Sequence, residues 1–171
     1  MHTIETMSFS KPTFNIKTSA LLFICFFFSL LFSDLKLQAQ TDFKADDING
    51  EWWTPDNDGR MIFFRSEGKY FGMVSWLKRA NDDTDGKPRR DKLNPDPSLR
   101  DRPLLHLILF SDFTFDQAKG KYTGGSIYDA EDSGKKYSCW LKLVDHNVLE
   151  IHGYVGFSLI GKSVFFTRVQ K

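Results

Sequence analysis

Five polar side chains, Asp91, Asn94, Asp96, Asp129 and Tyr137, are of the types that hold a ligand or move a proton. Carboxylates accept, an amide both donates and accepts, and a phenol donates. In Asp91-Lys92-Leu93-Asn94-Pro95-Asp96 two carboxylates and an amide fall within one short stretch, where they could be presented together to a ligand. Trp76 would add an aromatic face to such a site. The same stretch has a plainer reading, because Asx side chains ahead of prolines build turns unaided, and Arg100 and Arg102 stand close enough to pair with the carboxylates.

Just upstream, Asn81-Asp82-Asp83-Thr84-Asp85-Gly86 places oxygen side chains at alternate positions before a glycine, as the front half of an EF-hand calcium loop does. The back half departs from that pattern: Lys92 stands where a bidentate Glu is needed, and Lys87, Arg89 and Arg90 intervene. Calcium is the one metal this loop suggests, against a solvated, turn-forming acidic loop. His106, His146 and His152 have no zinc-chelating spacing. Gly124-Gly125 is not followed by a helix that could present N–H groups to phosphate, and no local signature supports a Ser-His-Asp or Cys-His nucleophile. Catalytic residues are therefore not assigned.

The elements that must position these residues are short strands punctuated by Gly, Asp and Asn, with no helical periodicity of useful length. Strands are expected at residues 50–54, 60–65, 69–77, 104–110 (broken near Asp112 before 113–115), 121–128, 135–143, 148–154 and 163–169. Between the third and fourth lies a charged, proline-bearing stretch, residues 78–103, expected to be a long structureless loop with a function or no order. In residues 135–143, Tyr137, Cys139, Leu141 and Leu143 alternate with polar neighbours, so Cys139 points inward and reads as an inert core thiol. About eight antiparallel strands with one apolar face make a sandwich or a barrel; sequential hairpins favour the small barrel, whose interior holds side chains or one small ligand. The apolar segment 153–161 could plug one barrel end or line a ligand mouth.

Residues 18–32 form an uncharged apolar run of 15, preceded by Lys11 and Lys17 and followed by a polar stretch ending at Ala39-Gln40. That is the layout of a secretory leader, and the run is shorter than the roughly 20 residues a spanning helix needs. The expected organisation is a signal peptide, residues 1–40, and one domain, residues 41–171, exported to the periplasm or the exterior with no membrane span after cleavage. Removing Lys11, Lys17, Lys36, Glu5 and Asp34 with the leader leaves 20 basic and 20 acidic side chains. A balanced surface carries no electrostatic footprint for nucleic acid or for anionic membrane. With Cys139 the only cysteine left, stability must come from the core.

Several segments, in order, resemble a family of exported bacterial proteins catalogued as domain of unknown function 2147. They are Gly50-x-Trp52, Gly72-Met73-Val74-Ser75-Trp76-Leu77, Asp91-x-x-Asn94-Pro95-Asp96, Arg102-Pro103-Leu104, Gly124-Gly125-Ser126-Ile127-Tyr128-Asp129, Gly153 through Gly161, and Phe166-Thr167-Arg168. The resemblance implies a small β-barrel and implies nothing about activity. Two departures, Phe166 where members carry Trp and Leu105-His106 where many carry Cys-Gly, argue against a shared catalytic thiol. The chain is also similar, more weakly, to lipocalin-like barrels, which pair Gly-x-Trp on the first strand with Arg on the last; Gly50, Trp52 and Arg168 stand in those places, a structural role. Function is expected to be non-enzymatic binding of a small apolar or amphipathic ligand, or of an envelope partner through residues 78–103. The alternatives are a hydrolase or other enzyme acting on an envelope component through polar residues at the barrel rim, and a solid interaction module filled by Trp52, Phe63, Trp76, Phe115 and Tyr137.

Overall fold

A computed structural model describes residues 43–156 and 161–170. Eight strands follow one another: β1 (Gly50–Trp53), β2 (Gly59–Ser66), β3 (Lys69–Leu77), β4 (Ile108–Asp116), β5 (Lys121–Asp129), β6 (Lys135–Asp145), β7 (Val148–Tyr154) and β8 (Gly161–Arg168). Each pairs antiparallel with the next and β8 returns to β1, so the sheet is a closed up-and-down barrel, the fold expected from the sequential hairpins. The leader read at residues 1–40 lies outside the described residues, as do residues 157–160 of the apolar segment before β8. Among the described residues no helix is long and apolar enough to cross a membrane.

Alternation sets the two faces. Trp52, Met61, Phe63, Tyr70, Val74, Phe110, Tyr122, Cys139, Leu141, Leu143, Leu149, Ile151 and Phe166 are buried in one core inside the barrel. Phe110 lies at its centre, with ring centroids 5.2 Å from Phe63 and 6.3 Å from Phe166. Each such ring removed from water contributes about 1.5–3 kcal/mol. Of the interior residues expected, Trp52 and Phe63 are fully enclosed, Phe115 packs against them and Tyr137 is half-buried; Trp76 is outside. The reason is a bulge: Arg60 pairs with Trp76 and Met61 with Val74, so Ser75 is an extra residue that turns Trp76 onto the outer face. There Arg60 lies 4.1 Å from the Trp53 ring and 5.2 Å from the Trp76 ring.

The lower end is shut by a single helical turn, Ala45–Ile48. Trp52 Nε1 donates to Ile48 O (2.9 Å), Tyr122 OH to Ala45 O (2.8 Å) and Tyr70 OH to Asp46 Oδ1 (2.7 Å). The seam between β1 and β8 has only two register pairs, Trp52 with Arg168 and Trp53 with Thr167. Arg168 reinforces it: its guanidinium sits 4.0 Å from the Trp52 ring and donates to Asn49 O (3.0 Å), Asp47 O (2.6 Å) and His146 O (2.6 Å). Gly50 keeps φ at +124° beside it, and a Cβ there would stand 3.1 Å from the guanidinium.

Residues 78–107 form an ordered strap at the upper end rather than a structureless loop. Isolated bridges join Asn81 to Pro88 and Arg90 to Pro103, and a short turn spans Pro97–Leu99. The fourth strand begins at Ile108, later than expected, because His106 takes φ 68°; Leu104 N still donates to Arg89 O of the strap, while His106 and Leu107 bond to Val74 of β3. The expected break near Asp112 is a bulge at φ 70° inside one continuous strand.

Replacing Arg168 with Lys keeps the charge but loses the planar fork, and should cost about 1–3 kcal/mol in urea unfolding; equal stability would remove the seam role given to it. Burial, then the bond to Asp46, pushes the Tyr70 phenol up to about 12, and burial raises Tyr122 and Tyr128 as well. An unfolded Tyr ionises near 10, so stability should be unaffected by these phenols below about pH 10 and fall between about pH 10 and 12, where the unfolded chain releases protons first. Thermal unfolding across that window, with absorbance at 295 nm reporting phenolate, checks it.

Candidate functional site

Five of the six residues singled out for ligand binding gather at the upper end, in two adjoining networks. Asp91 is fully buried. Its Oδ1 accepts from Tyr128 OH (2.6 Å); its Oδ2 accepts from Asn94 Nδ2 (2.7 Å) and from Arg102 Nε (2.9 Å) and Nη2 (2.8 Å). Asn94 also donates to Tyr128 OH (3.1 Å). Burial and the neighbouring Asp91 raise the Tyr128 phenol, which stays a donor. This charge is enclosed at tolerable cost because a guanidinium and two neutral donors satisfy it. The network fastens the strap to the outer wall, aided by a small apolar cluster of Leu104, Tyr128 and Ala130.

In the second network Asp129 accepts from Ser133 Oγ (2.8 Å) and Asp132 N (3.0 Å), while Tyr137 OH donates to Ser133 Oγ (3.1 Å). Ser133 spends its one proton on the carboxylate, so the chain shapes the β5–β6 turn. The two networks meet where Gly134, at φ 63°, lies under the strap; a Cβ there would come 1.9 Å from Leu93 O. Asp96 caps the Pro97–Leu99 turn, accepting from Ser98 N (2.9 Å) and Oγ (2.7 Å), and the Ser98 hydroxyl holds its carboxyl below the usual range. Trp76 stands apart with Arg60 and Trp53.

Beneath the strap, against the outer faces of β4, β5 and β6, runs a cleft of about 670 Å³. Its floor is out of phase with the core: Ser111 pairs with Ser126 one residue along from Phe110 and Ile127, and Lys136 pairs with Tyr128. Leu93, Leu99 and Ile108 line it while 47%, 40% and 43% exposed. A ligand site of this size is ordinary, since small-molecule clefts run about 300–1,000 Å³. Tyr128, Ser133, Leu93, Leu99 and Lys136 were not singled out as site residues in the sequence, whereas Arg102 was named there as an ion-pair partner for the carboxylates and pairs with Asp91. The available signal was Tyr128, a large ring on the outward phase of a barrel strand, which needs something to cover it.

Elsewhere the acidic loop is internally matched: Asp82 accepts from Thr84 and Lys92, Asp85 from Lys87 N and Arg90, and Asp83 pairs with Arg79. Among the described residues no group of three or more His, Cys, Asp and Glu is placed to hold a metal ion. Cys139 is buried, and burial pushes its thiol up to about 12. His152 stacks on Trp140 (4.8 Å) and meets Ser163 Oγ through Nδ1 (2.9 Å), and that hydroxyl donates to Glu150 (2.8 Å).

An amide at position 91 cannot accept from Tyr128, Asn94 and Arg102 together, because one of its two heads only donates. Asp91→Asn should therefore loosen the strap by roughly 2–4 kcal/mol while the barrel persists. Trypsin would then cut at Arg89, Arg90 or Lys92 under native conditions; equal resistance in both proteins would refute the clasp. Cys139 should resist an aromatic disulfide reagent at pH 8 and react on unfolding.

No curated protein sequence matches the chain. Among solved structures it is similar to a protein from the human pathogen Helicobacter pylori described as belonging to the lipocalin family, at 26% identity and TM-score 0.60, covering 72% of this chain and 83% of that one. The two resemblances seen in the sequence, to an uncharacterised bacterial family and to lipocalin-like barrels, thus agree with the closed barrel and with the Trp52–Arg168 contact that seals it. The family model described as "Uncharacterized protein conserved in bacteria (DUF2147)" matches residues 50–168, and the chain belongs to that family.

Proposed function

We propose that this is an exported protein of the cell envelope that binds a small amphipathic ligand without transforming it, and that the ligand lies in the cleft between the strap and the outer wall of β4–β6. The observation that carries this reading is the cleft itself: three large aliphatic side chains, two from the strap and one from β4, remain exposed around a site of about 670 Å³ whose lining also includes Ser111 and Ser126. Exposed apolar groups gathered in a concavity mark a binding surface, whereas scattered ones do not. The aromatic filling of the barrel core supports an external location, because Phe63, Phe110, Phe113 and Phe166 take up the space a lumenal ligand would use. Export rests on the leader-like sequence of residues 1–40.

Native mass spectrometry of the protein from its own envelope fraction, set beside its denatured mass, tests the whole reading. The expected result is a chain shortened by about 40 residues and carrying an extra mass that is lost on denaturation. For the location, Leu93→Asp with Leu99→Asp should weaken binding of the neutral dye N-phenyl-1-naphthylamine at least about tenfold, at about 1.4 kcal/mol per decade, with the far-ultraviolet spectrum unchanged. Undiminished dye binding by that variant would sink the external cleft.

A further inference from the structure

The chemical class of the ligand can be read from the charges around the cleft, an inference that rests on the binding reading above. Arg102, Lys135 and Lys136 line the cleft, and among the described residues no acidic side chain does. That is a departure for a chain whose residues 41–171 balance 20 cations against 20 anions. The neighbouring hollows lack this asymmetry: one sets Arg89, Arg90 and Lys92 beside Asp82 and Glu131, and another sets Arg79 and Arg89 beside Asp82 and Asp83.

The three cations are also differently engaged. Arg102 is neutralised by Asp91. Lys135 and Lys136 have no ion-pair partner among the described residues, although Asp129 lies directly across the ladder from Lys135. That carboxylate faces Ser133 Oγ and Asp132 N instead. The β5–β6 turn thus turns the nearest acid away and leaves two consecutive lysines without an ion-pair partner in the lining at one end of the cleft. Ser133 lines the same end, while Leu93, Leu99 and Ile108 supply the apolar wall.

We infer that the cleft takes an amphiphile with an anionic head, its head group at Lys135 and Lys136 and hydrocarbon against Leu93, Leu99 and Ile108. A neutral head would leave both ammonium groups without a counter-charge, and a cationic one would be repelled. Carboxylate and phosphate heads share this chemistry, whether on a free molecule or on a lipid in a bilayer.

The test uses three probes with a ten-carbon chain, decanoate, 1-decanol and decyltrimethylammonium, each displacing N-phenyl-1-naphthylamine from the exported protein. Decanoate should bind about tenfold more tightly than decanol, with decyltrimethylammonium weakest, and the gap should shrink in high salt. Lys135→Gln with Lys136→Gln should erase the gap and leave decanol unchanged, and Lys135→Glu with Lys136→Glu should reverse the order of the charged probes. Equal binding of all three probes, unaffected by either lysine pair but abolished by Leu93→Asp with Leu99→Asp, would overturn the anionic head and leave the cleft in place. Failure of every probe to displace the dye would overturn both. Given decanoate selectivity, co-sedimentation with phosphatidylglycerol vesicles that is lost in the lysine variants identifies a bilayer lipid; its absence identifies a free amphiphile.

Discussion

The seam between the first and last strands is the constraint on which the barrel depends. Consecutive hairpins assemble through local pairing, but closure needs two strands more than 100 residues apart to meet, and there the ladder offers only two register pairs. Arg168 adds what the ladder lacks, tying three carbonyls from both sides of the seam while its flat face covers Trp52. A planar cation with a fixed fork suits this role because it stacks and donates at once. With the seam shut, the turn Ala45–Ile48 can lie across the lower end and give Trp52, Tyr70 and Tyr122 the polar partners that large buried rings with donors require.

Closing the barrel and filling it are linked. An eight-strand barrel has an interior about the size of its own side chains. Here phenylalanine, tyrosine and leucine occupy it, and the cleft under the strap lies against the outer faces of the strands that build the core. Tyr128 marks the transition. It stands on the outward phase of β5, yet it is buried because the strap lies over it.

The strap is rich in charge, and its order comes from a few enclosed contacts. Asp91 alone accepts from three side chains. Removing such a carboxylate from water is costly unless its oxygens are satisfied, which makes the docked geometry specific: a strap shifted by one residue would strand the charge. The same docking leaves Leu93 and Leu99 facing a cleft, where a ligand could cover them.

Strand number, the hairpin order, the inward face of β6, the inert Cys139 and the Trp52–Arg168 pairing were legible in the sequence, because alternation, turn residues and family motifs are local signals. Residues 91, 94, 96, 129 and 137 could be recognised as belonging to one end of the barrel for the same reason. Their roles could not be read, since an Asp beside an Arg in sequence says nothing about whether the pair is enclosed or open to a ligand. Tertiary structure decided three matters. An extra residue at Ser75, invisible to a period-two reading, turned Trp76 outward. Strap residues 89–104 found partners on β5 and its turn, far along the chain, and so became ordered. The space between strap and wall, lined by two lysines and by no acid among the described residues, arises from how separate segments pack, and no spacing within any one of them encodes it.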